Sequence, residues 1–208
     1  MALTNDDLHA WIQRYAERVK EQREHLTKLD SAIGDGDHGQ NLARGLQAAV
    51  ERIDGADDVA STMQAVAMAL ISKTGGASGP LYGTFFMDAG KAAPDAPLAL
   101  TDWAHRMRAG LEGVQRRGKA EPGDKTMVDV LLPAVEALEA AADDDADLSV
   151  ALEEAAEQAK EGMEATTPMV AKKGRASYLG ERSAGHQDPG ATSTFYLFET
   201  AADTLGGA

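Results

Sequence analysis

The chain has 208 residues and a formal net charge of −14, because 34 Asp and Glu residues outnumber 20 Lys and Arg residues. This negative charge repels a phosphate backbone and argues against direct nucleic-acid binding. The absence of cysteine excludes disulfides, zinc–thiolate sites and cysteine nucleophiles. The sequence has neither a secretory signal nor an apolar run of about 18 residues that would cross a membrane. We therefore expect a cytoplasmic protein that is soluble, binds no membrane, and folds as one domain over residues 1–208.

Apolar residues recur at spacings of three and four, which is typical of amphipathic helices. The apolar sets predict helices that begin near Leu8, Leu42, Val59, Trp103, Val128, Leu148 and Phe195. Two shorter helices are predicted at about 80–92 and just after Pro168. No segment alternates convincingly as a strand would. The pattern predicts an all-α bundle of about eight helices with short connections.

Glycine is concentrated in four segments between these helices, at 34–39, 75–83, 118–123 and 174–190. A helical bundle does not need them for stability, since glycine inside a helix costs about 1 kcal/mol relative to alanine. We therefore expect the functional residues there. The remaining connections, 93–98 with two prolines and the acidic 143–147, are predicted to be inert loops.

The first segment carries three carboxylates within eight positions. Asp30 is predicted at the end of the first helix, and Asp35 and Asp37 in a glycine-punctuated turn. Carboxylates that converge raise each other's pKa unless a cation neutralises them, and oxygen ligands without cysteine favour Mg²⁺ or Ca²⁺. The alternative is a polar surface turn. His38 is either functional or a packing residue.

The second segment, SKTGGASGP at 72–80, leads into an apolar helix. Its small residues allow backbone N–H groups to approach an anion, and Pro80 suits a helix start. The order of residues is not that of a Walker A loop. The segment is either a phosphate cradle or a tight turn between helices.

The third and fourth segments are basic, although the protein is acidic. In the third, at 116–127, Asp124 is a candidate helix cap, and Met127 packs either on a flat ring or in the core. The fourth, at 172–193, is long for a bundle connection, and such loops are usually functional or disordered. We interpret it as a lid over an anionic ligand, in which Arg175 or Arg182 contacts a phosphate.

Acidic metal ligands, a glycine cradle and a basic lid are together the parts of a nucleotide-dependent phosphoryl transferase. Four motifs also carry a family resemblance, which extends over nearly the whole chain. The chain resembles the nucleotide-binding L subunit of bacterial dihydroxyacetone kinase in the segments LDSAIGDGDHG, GGASGPLYGTFF, RGKAEPGDKTM and GRASYLGERSAGHQDPGATS. The resemblance implies a closed antiparallel eight-helix barrel with the nucleotide at one end.

The resemblance also implies roles for individual residues. Two Mg²⁺ ions would be bound by Asp30, Asp35 and Asp37, which with Arg175 form the implied catalytic set. The nucleotide (ADP or ATP) and its phosphates would be contacted by His38, Asn41, Ala77, Ser78, Gly79, Gly118, Met127 and Arg175. The pocket would be closed by Asp188, Pro189 and Gly190.

In this family a separate K subunit holds dihydroxyacetone covalently on a histidine, and the L subunit delivers the phosphoryl group. The resemblance favours a mode in which ADP stays bound as a coenzyme and an M subunit of the phosphotransferase system rephosphorylates it. The alternatives are an ATP-consuming kinase subunit, a nucleotide-loaded regulator that docks on a transcription factor, and a plain metal-binding bundle. A homodimer or a hetero-oligomer is expected.

Overall fold

The computed structural model describes residues 2–92 and 97–207. Within them the chain forms nine α-helices, one 3₁₀ helix and no β-strand; Leu3 and Leu98 form an isolated antiparallel bridge. The α-helices are α1 Asn5–Glu21, α2 Arg23–Ile33, α3 His38–Ile53, α4 Val59–Lys73, α5 Ser78–Lys91, α6 Leu100–Gly118, α7 Val128–Asp143, α8 Leu148–Ala165 and α9 Pro189–Leu205, and the 3₁₀ helix is Arg175–Ser183.

Eight of these helices, all except α2, form a closed ring. Each packs on the next in the order α1, α3, α4, α5, α6, α7, α8 and α9, and α9 packs on α1. The closing pair is antiparallel, because the Trp11 indole donates to the Leu197 carbonyl and the Tyr15 hydroxyl donates to the Ser193 carbonyl. The predicted all-α, closed eight-helix barrel is confirmed.

The ring encloses one hydrophobic cluster to which all eight of its helices contribute. At its centre Trp11 packs edge-on against Trp103, and Phe85 edge-on against Phe86, with ring centroids 5.2 and 5.3 Å apart. Burying a large apolar side chain stabilises the fold by about 1.5–3 kcal/mol, so the apolar stripes account for ring closure. No helix among the described residues is both long and apolar enough to cross a bilayer. The single domain over residues 1–208 stays a prediction.

The helix that was predicted to reach Asp30 is in fact two helices. The chain turns at Gln22, whose backbone φ and ψ are −93° and 9°. The second piece, α2, leaves the ring and packs on α3 and α9. The break has no glycine or proline to mark it, so it is invisible in the sequence. It carries Asp30 across the end of the barrel.

The prediction of a short helix just after Pro168 is wrong. Residues 168–174 are irregular, and the 3₁₀ helix follows them. Gly174 and Gly180 have φ of 62° and 55°, which interrupts any regular helix. The predicted helix at 80–92 is α5. Of the two predicted inert loops, 143–147 includes the short exposed turn between α7 and α8, whereas 93–96 lie outside the described residues.

Candidate functional site

One end of the barrel, which we call the mouth, gathers the four glycine-rich segments. Helices α3, α5, α7 and α9 begin there, while α4, α6 and α8 end there. A helix start presents unpaired N–H groups and the positive end of the helix dipole. The mouth opens into a cavity of about 430 Å³. Four helix starts around one cavity favour an anionic ligand.

Three carboxylates meet at one side of this cavity. One oxygen from each of Asp30, Asp35 and Asp37 lies within 4.8 Å of the others. Asp30 is buried, and its Oδ2 accepts the backbone N–H groups of Asp37 (2.8 Å) and His38 (3.0 Å). These bonds fix the loop, and all three aspartates line the cavity. An all-oxygen cluster of this kind has the donor chemistry that Mg²⁺ requires.

Glycine at two positions makes this carboxylate cluster sterically possible. A Cβ at Gly34 would lie 2.0 Å from the Asp30 carboxylate, so a side chain there would displace it. Gly36 has φ of 74°, a backbone conformation that other residues rarely adopt. The spacing of glycines and aspartates in this motif therefore follows from the turn between α2 and α3.

The 3₁₀ helix contributes a cation to the same cluster. The Arg175 Nε lies 2.9 Å from the Asp35 Oδ2, and the Arg175 side chain is 68% exposed. Arg175 therefore lies at the rim of the cavity, where it pairs with a carboxylate and is free to turn toward an anion.

The second segment forms the N-terminus of α5 beside the carboxylates. Ala77 and Ser78 line the cavity together with Gly75 and Gly76. The N-cap residue Ala77 has no side-chain acceptor for the first amides of α5. Gly79 lies behind this lining, where a Cβ would meet the Thr74 carbonyl oxygen at 2.5 Å. Its role is to let α4 and α5 approach closely.

His38 connects the cradle to α9 through a chain of hydroxyls. Its Nδ1 lies 2.9 Å from the Ser78 Oγ and its Nε2 lies 2.9 Å from the Ser193 Oγ. Ser193 is in turn 2.7 Å from the Tyr82 hydroxyl. Burial lowers the pKa of His38. A neutral imidazole has one donor and one acceptor nitrogen, so it fixes the orientation of both serine hydroxyls.

Asn41, like Gly79, is a predicted site residue that does not line the cavity. Its Oδ1 accepts a hydrogen bond of 2.7 Å from Arg44, and its amide group packs against Gly75. Asn41 is thus placed to support the cradle from behind.

The far side of the cavity is mainly apolar, although Arg117 and Lys125 also line it. Gly118 and Met127 line it, with Val114, Leu81 and Ala120 around them. Met127 also belongs to the hydrophobic core, so both interpretations of it describe the same position. An apolar wall opposite a charged one suits a ligand with a flat ring at one end and phosphates at the other.

The start of α9 closes the site. The Asp188 carboxylate caps α9 by accepting the Ala191 N–H at 2.7 Å, and Pro189 and Gly190 continue the cavity wall. Burial raises the pKa of Asp188 to about 6, against the opposing effects of its hydrogen bond to Ala191 and of the Lys125 charge. Asp188 is therefore a capping residue that titrates unusually close to neutrality.

Sequence reasoning missed two buried polar residues of the cavity wall, Lys125 and Tyr82. Both lie inside motifs that were singled out. The hydrogen-bond partners of Lys125 lie 41–61 residues away in sequence, and the hydroxyl partners of Tyr82 lie 111–112 residues away. No local pattern therefore identifies their roles. Arg182, the alternative to Arg175, does not line the cavity, whereas the remaining predicted residues do, and their individual roles stay predictions.

The fold and the site define the class: an all-helical barrel with a carboxylate cluster and a cradle of helix starts at one end. The family model of the DAK2 domain matches residues 32–203. Over 205 residues the chain is 45% identical to "PEP-dependent dihydroxyacetone kinase, ADP-binding subunit DhaL" of Escherichia coli (strain K12), covering 97% of this chain and 98% of that one. It is 40% identical to the "PTS-dependent" DhaL subunit of Lactococcus lactis, covering 98% and 99%.

Among solved structures, the dihydroxyacetone kinase from C. freundii in complex with AMP-PNP and Mg²⁺ matches with a TM-score of 0.73 and 25% identity. The match covers 98% of this chain and 34% of that chain, so this chain spans about a third of that kinase. The chain belongs to the DAK2-domain family. Its close relatives are subunits of a phosphotransferase, in agreement with the predicted class of enzyme.

Proposed function

We propose that this chain is the nucleotide-binding L subunit of a phosphoenolpyruvate-dependent dihydroxyacetone kinase. The observation that carries the proposal is the convergence of Asp30, Asp35 and Asp37 at a cavity ringed by four helix starts. A protein of net charge −14 needs cations to hold a polyphosphate, and this cluster is suited to bind them. Its relatives named as ADP-binding subunits, and the AMP-PNP and Mg²⁺ complex of the structural neighbour, support this function.

We assign two Mg²⁺ ions to the cluster. Three carboxylates offer six oxygens, of which the Asp30 Oδ2 accepts two backbone N–H groups and the Asp35 Oδ2 pairs with Arg175. Mg²⁺ keeps several waters and takes few protein ligands, so the remaining oxygens suffice for two ions with shared phosphates. When bound, the ions would neutralise charge on the phosphate oxygens during phosphoryl transfer.

The chain's own residues would orient the nucleotide. The phosphates would lie on the N-terminus of α5 at Ala77 and Ser78, with Arg175 turned from Asp35 toward them. The base and ribose would contact Gly118 and Met127. The phosphoryl group would pass to dihydroxyacetone held covalently on a separate K subunit, which docks at the mouth as part of a hetero-oligomer.

We further propose that ADP stays bound as a coenzyme and is rephosphorylated by a phosphotransferase-system M subunit. The relatives' names support this mode, since they describe ADP-binding subunits of PEP- and PTS-dependent kinases. Use of free ATP and docking on a transcription regulator are the competing functions. The cytoplasmic location stays a prediction.

The metal assignment is tested directly by replacing one carboxylate of the cluster at a time. We expect Asp35→Asn and Asp37→Asn to weaken ADP binding at fixed Mg²⁺ by at least about 100-fold, since the loss of even outer-shell partners costs about 10–100-fold. Titration calorimetry measures the affinity. The matched control is Asp144→Asn in the exposed turn after α7, which should bind ADP normally. Full ADP affinity in both cluster variants would refute the metal assignment.

A further inference from the structure

Lys125 has an unusual backbone and an unusual environment. Its φ of 62° lies in the left-handed region that non-glycine residues seldom occupy. The residue is only 1% exposed, although lysine is almost never fully buried without partners. Backbone strain and charge burial both oppose this arrangement, so it persists only because its partners stabilise it.

Those partners are main-chain carbonyl oxygens. The Lys125 Nζ donates to Thr166 at 2.7 Å, to Met169 at 3.2 Å, to Thr167 at 3.4 Å, and to His186. An ammonium group has three N–H donors, so these four oxygens use its whole capacity. We call this group of four oxygens the carbonyl cage.

The carbonyl cage joins the two ends of one loop. Residues 166–169 directly follow α8, and His186 lies three residues before the start of α9. Between them lies the 3₁₀ helix, which brings Arg175 to the carboxylate cluster. Two direct bonds also join these ends: the Gly185 N–H donates to the Thr167 oxygen at 2.8 Å, and the Asp188 N–H donates to the Thr166 Oγ1 at 3.1 Å. Lys125 adds a buried charged group that contacts both ends at once.

Removal of the ammonium would take this donor from the Met169 and His186 oxygens, while the Thr166 oxygen keeps the Met169 N–H and the Thr167 oxygen keeps the Gly185 N–H. Buried acceptors without partners are costly, so the two ends of the loop would separate or admit water. Arg175 and the start of α9 would then lose their fixed distance from the cavity. The carboxylate cluster, held by the bonds of Asp30 to the turn before α3, would not depend on the cage.

We propose that Lys125 is a positioning residue of the nucleotide site: its ammonium joins both ends of the loop 166–188 and so holds that loop over the bound nucleotide. The inference rests on the proposed nucleotide binding. It assigns to Lys125 the retention of the nucleotide and leaves metal binding to the aspartates.

The test uses two substitutions in the full chain. Lys125→Met keeps the length of the side chain and removes its charge, whereas Lys125→Gly also empties its space and suits the positive φ. We expect either variant to release ADP about 10- to 100-fold faster than the unsubstituted protein, the range for losing hydrogen bonds to a charged group. Adding n-butylammonium, which matches the missing side chain, should slow ADP release from Lys125→Gly but not from Lys125→Met.

Two further measurements separate positioning from general stability. Mn²⁺ binding without nucleotide, followed by paramagnetic resonance, should not weaken in either variant. Lys160→Met, a matched change on the exposed face of α8, should release ADP at the normal rate. If Lys125→Met fails to fold, Lys125→Gly with n-butylammonium provides the same comparison.

The outcomes are distinct. Normal ADP release from a folded Lys125 variant would overturn the inference, and so would equal losses of Mn²⁺ and ADP binding, because they indicate general unfolding. An unsubstituted protein that binds no nucleotide would instead refute the proposed function.

Discussion

The two ends of the barrel are built differently. At the end opposite the mouth, α1 and α4 begin with capping boxes, in which Thr4 accepts the Asp7 N–H and Asp58 accepts the Ser61 N–H. At the mouth, the N-cap residues of α3, α5 and α7 make no side-chain capping bond, and only Asp188 caps its helix. The mouth also holds the glycine-rich turns and most of the buried polar side chains, although Thr62 and Arg106 are buried nearer the other end.

This difference separates stability from function. A helix start gains about 1 kcal/mol from a good cap; at the closed end α1 and α4 have that gain, whereas α6 and α8 begin without a side-chain capping bond. At the mouth the same amides are left for a ligand, and the fold tolerates strained turns and buried charge around them. We therefore expect changes at the mouth to alter ligand binding, and changes at the closed end to alter stability alone.

The largest expected difference between the two ends comes from replacing a glycine with alanine. Gly79→Ala would put a Cβ 2.5 Å from the Thr74 carbonyl and force α4 and α5 apart. We expect a loss of about 1–3 kcal/mol in unfolding free energy and a large loss of ADP affinity, measured by denaturant unfolding and calorimetry. Gly55→Ala, at the closed end with nothing within 4 Å, is the control. Equal losses of stability and ADP affinity in the two variants would contradict the difference between the two ends.

The capping carboxylate of α9 predicts a pH dependence. The folded pKa of Asp188 is about 6, above the ordinary 3.8, so its contribution to stability is present below pH 4 and lost as the pH rises through 6. Asp188→Asn keeps a good cap and cannot titrate. Relative to the unsubstituted protein, it should gain on the order of 2 kcal/mol between pH 4 and pH 7. Thermal unfolding of both proteins without nucleotide measures this; a pH-independent difference would contradict it.

The closed end should respond in stability alone. Thr4→Ala removes the acceptor of the Asp7 N–H, which lies 3.3 Å from the threonine Oγ1. We expect a loss of about 1 kcal/mol in unfolding free energy with unchanged ADP affinity in the folded protein. Weaker ADP binding by this variant would show that the two ends are coupled.

The smallest expected effect concerns the ion pair at the rim. Arg175→Gln frees the Asp35 carboxylate, so Mn²⁺ affinity without nucleotide should rise about two- to five-fold, as expected for losing an exposed pair. Phosphoryl transfer to a K subunit should fall at the same time. Arg52→Gln, an exposed arginine near the closed end, should change neither quantity. Lower Mn²⁺ affinity in Arg175→Gln would contradict competition between the arginine and the metal.

The sequence predicts the helices and the short site motifs better than it predicts the path of the chain between them. The apolar stripes indicate the helices directly, whereas ring closure came from the family resemblance. The break at Gln22 was missed because no glycine or proline marks it, and the helix after Pro168 was overpredicted because the positive φ of Gly174 and Gly180 is not visible in the sequence. The aspartates were found because three ligands lie in one short motif. Lys125 was missed because its acceptors lie 41–61 residues further along the chain.

The most direct test of the account is to purify the protein, denature it, and identify any released nucleotide by chromatography. We expect about one ADP per chain. We expect this ADP to be lost when Mg²⁺ is removed or when Asp35 or Asp37 is replaced. A protein that releases no nucleotide and takes up none when Mg²⁺ and ADP are added would contradict the account.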